Sequence, residues 1–508
     1  MSTASYLNAA DWSVIGFYLA GVILLGVWFG RDQKTTRDYF LGSRNIPWWG
    51  IGFSIVAAET SALTIIGVPA MAYGGNLGFI QMVAGYVIAR MVLAVVMVPH
   101  YFKGEIYSPY QLFANAFGPS ARQMAGGLFL LSETLAAGVR VYVACIPIQL
   151  MLGLHVLPAI LLFVGLSLAY TYVGGVKAVI WTDALQFGLF LLGGVFALAY
   201  IPALVDGGLP AVLREAAAGG KLTWFNPHFS LAAPYNLWMG LIGGSFVTLS
   251  SHGAEQLIVQ RVLACRNVRD GRRALVLSAV LILPLFLIFL LAGAMLWVYY
   301  RHAPLAIPLP EVRPGIKAND FIFPIFMLTA VPHWLKGFLI VAILSAAMSS
   351  VSSALTSLAS VSTMDFVKHL LLGRSEAFYL RFSKTSTILW AAALVAVAYA
   401  SREVTFVLNA AFSLRGLTSG ALLGGLLLAL FWRHGSSRSV VLGMGVAVAT
   451  MTAIQVLPQL PATQAWWKRV VGEPIFWPWF TLIGTVLTLG TAWTLQRLTR
   501  ATTPLRTP

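Results

Sequence analysis

The sequence predicts an all-α polytopic membrane protein with about 13 transmembrane helices. Three observations lead to this fold class: an apolar composition, apolar stretches of spanning length, and loops that alternate in basic charge. Of the 508 residues, 58% are hydrophobic and only 10% are charged, whereas soluble domains carry about 25% charged residues. The composition therefore excludes a water-soluble core of this size.

Apolar stretches of about 20 residues recur along the whole chain, and each is long enough to cross the hydrocarbon layer as a helix. Helices are expected because lipid offers the backbone polar groups no partner except one another. The predicted spans are 11–30, 46–73, 78–101, 122–152, 156–174, 178–203, 236–262, 274–300, 336–365, 382–400, 404–431, 439–458 and 474–497.

The spans suggest a division of the chain into five regions. The first span lacks the positive n-region of a signal peptide, so we expect it to remain as an extra N-terminal helix. The predicted regions are 1–45 (extra transmembrane helix and cytoplasmic loop), 46–203 (first five-helix repeat), 204–235 (outer loop), 236–431 (second five-helix repeat) and 432–508 (two transmembrane helices and a short cytoplasmic tail).

The basic residues act as orientation signals. The net charge is +16, but the basic residues are dispersed among short loops, which argues against nucleic acid as a partner. When basic residues at the ends of spans are counted with the adjoining loops, 21 of the 33 Lys and Arg residues fall in the loops assigned to the cytoplasm and 9 in the outer loops, while Arg90, Arg140 and Arg415 lie inside spans. The positive-inside rule then predicts an outside N-terminus and a cytoplasmic C-terminus. The sequence contains no Asn-x-Ser/Thr sequon and its predicted soluble loops are short, which favours a bacterial inner membrane.

The second span is interrupted by polar residues. Glu59, Thr60, Ser61 and Thr64 stand near mid-depth, where an uncompensated carboxylate costs at least about 2 to 3 kcal/mol. Glu59 is therefore expected to face a cavity or a partner. The alternative is an interhelical hydrogen bond with no role in binding.

A second polar interruption lies in the span 236–262, which contains Gly243-Gly244-Ser245 and then the run from Ser250 to Gln256. Two interrupted helices, each opening a set of five spans, are typical of inverted repeats. In such folds the broken helices expose free carbonyls and amides around a solute site near the bilayer midplane. Chance polar clusters are the alternative.

Hydroxyl side chains form a stripe on the span 336–365. Ala346, Ser349, Ser350 and Ser353 follow the i, i+3, i+4, i+7 spacing of one helix face. Hydroxyls together with freed carbonyls suit sodium, because hard cations prefer oxygen ligands. Close helix packing through small residues would explain the same stripe.

Further ionisable groups lie within the apolar spans. Asp183 could supply a carboxylate to the same cation or act as a proton relay. Glu133 and Arg140 add two charges on the span 122–152. A pair of Arg140 with Glu59 or Glu255 would ease the burial of both members, and this structural role is an alternative to solute contact.

The chain resembles the sodium/solute symporter family over nearly its whole length. The most specific stretch is Gly174 to Gln186, which is similar to the family pattern Gly-Gly-x-x-Ala-Val-x-Trp-Thr-Asp-x-x-Gln. Asp38 to Gly42, Val259-Gln260-Arg261 and the serine stripe support it. The resemblance implies a LeuT-like core of two inverted five-helix repeats that works by alternating access.

The resemblance also implies the ligands of the coupling ion, Na⁺. A primary sodium site would take the carbonyls of Ala57, Thr60 and Ala346 with the hydroxyls of Ser349 and Ser350. A second sodium site, present in part of the family, would use Asp183, Ser352 and Ser353.

The solute site that the resemblance implies lies around the two interruptions. Its residues would be Glu59, Ser61, Thr64, Phe79, Gln81, Arg140, Glu255 and Gln256. Glu255 stands where sugar carriers of the family tend to have Asn or Asp, so a simple hexose is disfavoured. Two acids and one arginine near the centre favour an amino acid, another zwitterion or a cation.

The sequence therefore predicts a sodium-coupled symporter for a small polar, charged or zwitterionic solute. A proton-coupled carrier is the first alternative, because Glu59, Glu133, Asp183 and Glu255 are all candidate relays. A membrane sensor module of the same fold is the second, although no kinase or receiver segment follows Arg497. An enzyme is not expected, since no nucleotide-phosphate loop, metal-ligand cluster or nucleophile constellation appears.

Overall fold

The computed structural model describes residues 7–30, 34–61, 63–313, 316–403, 407–432 and 435–502. Helices account for nearly all the regular structure in these ranges. The exception is one short antiparallel hairpin, formed by β1 (Glu311–Arg313) and β2 (Ile316–Lys317).

The N-terminal part of the chain contains the first interrupted helix. Its helices are α1 (Ala9–Gly30), α2 (Thr36–Leu41), α3 (Trp48–Glu59) and α4 (Val68–Gly74). A π-helical turn, Leu63–Gly67, precedes α4, and the two arms of the broken span meet at an angle of 58°. The break is where the polar cluster of the second span predicts it.

The start of α2 shows how local sequence sets a helix boundary. The Thr35 side chain accepts a hydrogen bond from the Asp38 amide, and the Asp38 side chain accepts one from the Thr35 amide. This reciprocal capping box satisfies two amides that a helix start leaves without partners. Gly42, with φ 52°, ends the helix in the left-handed conformation that glycine adopts most easily.

The next helices run from the first break to the outer loop. They are α5 (Ile80–Val96), α6 (Val98–Tyr101), α7 (Tyr110–Phe117), α8 (Pro119–Leu152), α9 (Val156–Ala203) and α10 (Gly208–Ala218). Helix α9 is interrupted by Gly175, whose φ of 53° and ψ of −160° are not helical. The interruption separates the two predicted spans 156–174 and 178–203.

The second interrupted helix follows the outer loop. A π-helical turn, Met239–Gly244, leads into α11 (Ser245–Gly253), and α12 (Gln256–Leu263) begins after Ala254 and Glu255. Glu255 has an extended backbone, with φ −107° and ψ 136°. The second break therefore lies within the predicted polar run.

The remaining helices complete the bundle. They are α13 (Val268–His302), α14 (Ile322–Thr329), α15 (His333–Val361), α16 (Lys368–Leu370), α17 (Glu376–Ala400), α18 (Val407–Phe431), α19 (Ser437–Val456), α20 (Pro461–Val470) and α21 (Pro478–Thr502). A π-helical turn, Ser362–Val367, joins α15 to α16.

Eight helices of the described chain are long and apolar enough to cross a membrane, or nine if the bent pair α3 and α4 counts as one span. The other four predicted spans are also helical: the second arm of α9, the 17-residue α5, the broken pair α11 and α12, and α21. Within the described residues, each predicted span thus coincides with a helix or a broken helix.

Helix α15 lies at the centre of the bundle. It packs against α1, α3, α8 and α9, and its residues from Leu339 to Val361 are all buried. Small side chains allow this close approach on several sides, as is usual between membrane helices. The serine stripe is therefore held between helices, where the first break can reach it.

Candidate functional site

A cavity lies between the two broken helices and is the candidate functional site. It encloses about 960 Å³ of space between atoms, part of which is open to solvent. Its charged and titratable wall residues are Glu59, Arg140, His252, Glu255 and Arg415. Ser61, Thr64 and Thr248 contribute hydroxyls, and Tyr86, Phe286, Phe412 and Trp477 form its aromatic walls.

Glu59 stands at the end of α3, at the first break. Its carboxylate oxygen Oε2 accepts a hydrogen bond from Arg90 and lies 3.6 Å from Nε2 of His252. Arg90 of α5 is completely buried, and its Nη2 lies 3.1 Å from the same His252 nitrogen. The Glu59 carboxylate therefore neutralises the buried Arg90 guanidinium, whose charge would be costly in the membrane without a partner.

A second charge cluster lies at the other break. Arg415 of α18 donates to Glu255 through Nε, at 2.6 Å, and through Nη2. Arg415 Nη2 also lies 3.9 Å from Oε2 of Glu133. Arg140 donates to Oε1 of Glu133 at 2.5 Å. Four alternating charges thus connect α8, α18 and the second break.

The two pairings considered for Arg140 are both wrong. Its partner is Glu133, seven residues away on the same helix, whereas Glu59 pairs with Arg90 and Glu255 pairs with Arg415. The count of two acids and one arginine near the centre is wrong for the same reason. The sequence does not indicate the partners of Glu59 and Glu255, because Arg90 and Arg415 come from α5 and α18, which are separated in sequence from the two breaks.

Five of the eight predicted solute residues line the cavity: Glu59, Ser61, Thr64, Arg140 and Glu255. Phe79, Gln81 and Gln256 are engaged elsewhere. The ring of Phe79 stacks on Phe286 at 5.4 Å, behind the wall. Gln81 donates to the Tyr235 carbonyl at 2.8 Å.

Gln256 faces away from the cavity. Its Nε2 donates to the Tyr107 carbonyl at 2.9 Å and to Ser360 at 3.1 Å. These contacts join α12 to the loop before α7 and to α15. In the described structure, Gln256 therefore holds the second broken helix in place.

The predicted primary sodium residues are buried on two helices that pack together. Ala57, Thr60 and Ala346 are completely buried, as is Ser349, and Ser350 is 3% exposed. Helices α3 and α15 are in contact. Ser350 donates to the Ala346 carbonyl at 3.1 Å.

The first break changes the hydrogen bonding around Ala57. In a continuous α-helix the Ser61 amide would donate to the Ala57 carbonyl, but here it donates to the backbone carbonyl of Glu59 at 3.1 Å. The Thr60 hydroxyl is buried and has no hydrogen-bond partner among the described residues. Oxygen acceptors of this kind are the ligands that a hard cation such as sodium requires.

Asp183 is completely buried and fully engaged. Its Oδ1 accepts from Ser349 at 2.6 Å. Its Oδ2 accepts from Ser54 at 2.6 Å and from Arg261 at 2.8 Å. The carboxylate proposed for a second sodium ion is therefore held by an arginine in this structure.

The two other residues of that predicted site bond to their own helix. Ser352 donates to the Ser349 carbonyl at 3.0 Å and Ser353 donates to it at 2.5 Å. Ser353 also accepts a hydrogen bond from Arg261. The three predicted residues are thus close together, around Ser349 and Arg261.

The sequence reasoning missed several residues of the cavity. Arg90 and Arg415 were noted only as charges within spans, although an arginine at mid-span is itself a signal of a buried partner. Phe412 and Trp477, which stack at 4.6 Å, lie far apart in the sequence and gave no local signal. His252 falls in the second polar run but was not assigned to the cavity.

Comparison with known proteins identifies the family. Residues 39–446 match the model of the sodium:solute symporter family. The chain is 29% identical over 450 residues to the sodium/sialic acid symporter SiaT of Proteus mirabilis, which covers 87% of this chain and 89% of that one. It is 26% identical to the human sodium-coupled monocarboxylate transporter 1 over 89% of this chain and 74% of the relative.

A solved structure agrees with these matches. A substrate-bound, outward-open structure of a sodium-coupled sialic acid symporter superimposes with a TM-score of 0.85, covering 97% of this chain and 98% of that chain at 25% identity. The predicted all-α, LeuT-like fold class is confirmed. The members of the family are transporters and not enzymes.

The family match spans most of the chain, and the two broken helices enclose a polar cavity beside a buried stripe of serines. The chain therefore belongs to the sodium:solute symporter family and is a multi-pass membrane transporter of small solutes with sodium as its coupling ion.

Proposed function

We propose that this symporter imports a small organic solute that carries both a negative and a positive charge, by alternating access at the cavity between the two breaks. The observation that carries the proposal is that the cavity wall presents guanidinium and carboxylate groups together. Charged groups in a low-dielectric site select solutes of complementary charge, because an unmatched charge there is costly.

Arg140 and Glu59 support a solute that carries one positive and one negative charge. Nε and Nη2 of Arg140 are bonded to Ala136 and Glu133, and Nη1 has no hydrogen-bond partner in the described part of the chain. The contacts of Glu59 with Arg90 and His252 run through Oε2. One cationic nitrogen and one anionic oxygen at the cavity wall thus remain without a hydrogen-bond partner among the described residues, so the wall presents both signs of charge to a solute.

The relatives are consistent with a carboxylate on the solute. They are described as symporters of sialic acid and of monocarboxylates. These solutes share an anionic carboxylate, which a guanidinium binds well. We therefore propose that the solute of this chain carries its negative charge as a carboxylate.

We propose that the first sodium ion binds the carbonyls of Ala57, Thr60 and Ala346 and the hydroxyls of Ser349 and Ser350. The support is the redirected Ser61 amide at the first break and the contact of α3 with α15. An ion held by both helices would join the first break to the serine stripe. Sodium binding then favours the conformation that accepts solute.

We propose that a second sodium ion binds at Asp183, Ser352 and Ser353, in competition with Arg261. The carboxylate pairs with Arg261, so sodium has to compete with a guanidinium. This competition gives the second site a lower affinity for sodium than the first. Measured sodium-to-solute stoichiometry separates one ion per cycle from two.

The buried pairs weigh against proton coupling. Each of the four candidate relays, Glu59, Glu133, Asp183 and Glu255, bonds to an arginine. An adjacent guanidinium stabilises the charged carboxylate, whereas a proton carrier has to bind and release a proton easily. The geometry therefore supports sodium as the coupling ion.

We further propose an outside N-terminus, a cytoplasmic C-terminus and a location in a bacterial inner membrane. The excess of basic residues in the loops assigned to the cytoplasm supports the orientation. The proposed repeats are 46–203 and 236–431, and each contains one broken helix near its start. Labelling of single cysteines in opposite loops of sealed vesicles tests the orientation.

Uptake into proteoliposomes tests the coupling. We expect a sodium gradient to drive accumulation of a solute that carries one positive and one negative charge, and an equal choline gradient to drive none. The solute is found first by a sodium-dependent thermal-shift screen, because a ligand that prefers the folded state raises the melting temperature. Accumulation at the same rate in choline as in sodium would contradict the proposal.

A further inference from the structure

The pair formed by Arg415 and Glu255 differs from an ordinary structural ion pair in its position and its geometry. Both residues line the cavity, and the Arg415 side chain is 17% exposed. Both Arg415 contacts go to one oxygen of Glu255, Oε2. The other oxygen, Oε1, is buried and has no hydrogen-bond partner among the described residues.

A carboxylate and a guanidinium bond best through two parallel hydrogen bonds to two oxygens. The single-oxygen contact leaves one strong acceptor of Glu255 unsatisfied, which is unfavourable in a buried site. A ligand that supplies a hydrogen-bond donor to Oε1 would remove this cost. The pair is therefore incomplete in a way that a bound solute can correct.

Glu133 allows the pair to open. Its Oε2 lies 3.9 Å from Nη2 of Arg415, and this oxygen has no hydrogen-bond partner in the described structure. If Glu255 moves away, Arg415 retains a carboxylate within ion-pair distance. The guanidinium is thus never left without a counter-charge, which would be strongly unfavourable when buried.

Charge balance determines which kind of solute can open the pair. Arg140 and Arg415 carry two positive charges, and Glu133 and Glu255 carry two negative charges, so the cluster is neutral. An anion or a cation that entered the cluster would add one unbalanced charge. A zwitterion adds none and can satisfy both members of the opened pair.

We propose, on the basis of the function proposed above, that the Arg415 and Glu255 pair opens to admit a zwitterion, whose carboxylate binds Arg415 and whose ammonium binds Glu255. Arg415 is then a specificity-determining residue of the transport reaction. The residues that the sequence predicted for solute contact do not include Arg415.

The position of the pair links solute binding to the second break. Glu255 has an extended backbone between α11 and α12, and Arg415 lies on α18, which packs against α8 and α11. Opening the pair removes one contact between the break and α18, while the hydrogen bond from the Ser250 hydroxyl to the Ser419 carbonyl, at 2.8 Å, still joins α11 to α18. Solute binding can therefore change the arrangement of the broken helix relative to its neighbours, as alternating access requires.

The test uses purified full-length protein and a series of small probes. The zwitterions are glycine, β-alanine and γ-aminobutyrate, which differ in the distance between their charges, and the single-charge partners are butyrate and butylamine. In saturating sodium, we expect at least one zwitterion to raise the melting temperature, and we expect no effect of butyrate or butylamine at about tenfold higher concentration.

Variants at the pair identify its role. We expect Arg415→Gln and Glu255→Gln each to weaken binding of the protective zwitterion by more than about tenfold. Because either change leaves a buried charge, the double variant Arg415→Gln/Glu255→Gln is the folding control: it removes both charges and should melt near the wild type while still failing to bind. Arg402→Gln and Glu105→Gln, at exposed positions, should change nothing.

The outcomes separate this inference from the proposed function. Protection of the wild type by butyrate alone, protection by none of the zwitterions, or full zwitterion binding by a folded Arg415→Gln protein would overturn the inference. The effect of sodium alone on the melting temperature is a separate readout. If sodium has no effect on the wild type, the proposed sodium coupling fails instead.

Discussion

The Ser349 hydroxyl donates a 2.6 Å hydrogen bond to Oδ1 of Asp183. One proposed ligand of the first sodium ion is thereby bonded to the carboxylate proposed for the second. Any ion that draws the Ser349 hydroxyl towards α3 changes the contacts of Asp183. The two proposed sodium sites are therefore coupled through this single hydroxyl.

The first prediction concerns the proposed primary sodium site. We expect Ser350→Ala to raise the sodium concentration for half-maximal uptake by about tenfold, because it removes one oxygen ligand from the ion. Uptake at saturating sodium should recover in part. The measurement is initial uptake against sodium concentration in proteoliposomes.

Ser13→Ala is the matched control for that change. Ser13 is exposed on α1, and its hydroxyl donates to the Ala9 carbonyl of its own helix at 2.8 Å. We expect a sodium dependence equal to that of the wild type. A Ser350→Ala protein with an unchanged sodium dependence would exclude this hydroxyl as a ligand.

The second prediction concerns the buried pair of Asp183 and Arg261. Replacing one member leaves the other charge buried without compensation, so we expect Asp183→Asn and Arg261→Gln each to lower the free energy of unfolding by about 3 kcal/mol. The double variant should lose less than the sum of the two. A double-mutant cycle of melting curves in detergent measures the difference.

Additive losses in that cycle would contradict the pairing. Transport gives a second readout, because Asp183→Asn removes the carboxylate from the proposed second sodium site. We expect the double variant to fold and to show a weaker sodium dependence than the wild type. An unchanged stoichiometry in the folded double variant would argue against sodium at Asp183.

The third prediction concerns the contact of α5 with the turn before α11. A methyl group added at Gly85 would lie 2.1 Å from the Gly240 carbonyl oxygen and 2.7 Å from the Ser245 amide nitrogen. Backbone atoms cannot move aside as a side chain can. We expect Gly85→Ala to destabilise the protein by about 1 to 3 kcal/mol.

Gly127→Ala is the control for added helix propensity. Gly127 lies on α8, and a methyl group there would meet no atom within 4 Å. We expect its melting temperature to stay equal to that of the wild type or to rise. Equal melting temperatures for both alanine variants would show that α5 can separate from the turn at no cost.

The fourth prediction concerns Lys221 in the outer loop. Its Nζ donates to the carbonyls of Tyr73 and Gly75, at 2.7 and 3.0 Å, at the end of α4. It also lies 5.1 Å from the centre of the Trp297 ring. We expect Lys221→Met to lower the free energy of unfolding by about 1 to 3 kcal/mol, because it removes the donors of two carbonyls.

The contribution of Lys221 should also depend on pH. Burial lowers the pKa of the Lys221 amine from its ordinary value of 10.5. In the interval below 10.5 the unfolded chain binds more protons than the folded one, so the contribution of Lys221 increases as the pH rises through that interval. Melting curves of Lys221→Met and of exposed Arg214→Met against pH check this, and a constant difference would contradict it.

Much of the fold could be predicted from the sequence. Both breaks lie within the polar runs that predicted them, at Thr60 and at Glu255. Gly175 interrupts α9 between two predicted spans. These features are local, because a short polar or glycine-containing stretch within an apolar segment is enough to indicate them.

The candidate site was only partly predictable. Glu59, Ser61, Thr64, Arg140 and Glu255 line the cavity as expected. The ion-pair partners of Glu59 and Glu255 were not predicted, because they depend on how segments that are distant in sequence pack against each other. The repeat boundaries and the roles of the sodium residues stay predictions.

The sequence by itself determined that the protein lies in a membrane, where its spans lie and at which two positions helices break. Each of these features depends on the composition of one continuous segment. Only the tertiary structure decided which arginine neutralises which carboxylate. Arg90 and Arg261 each contact a carboxylate on another helix, and Arg415 contacts Glu255 at the second break. A buried charge requires a counter-charge within a few ångströms, and that distance is set by helix packing and not by separation along the chain.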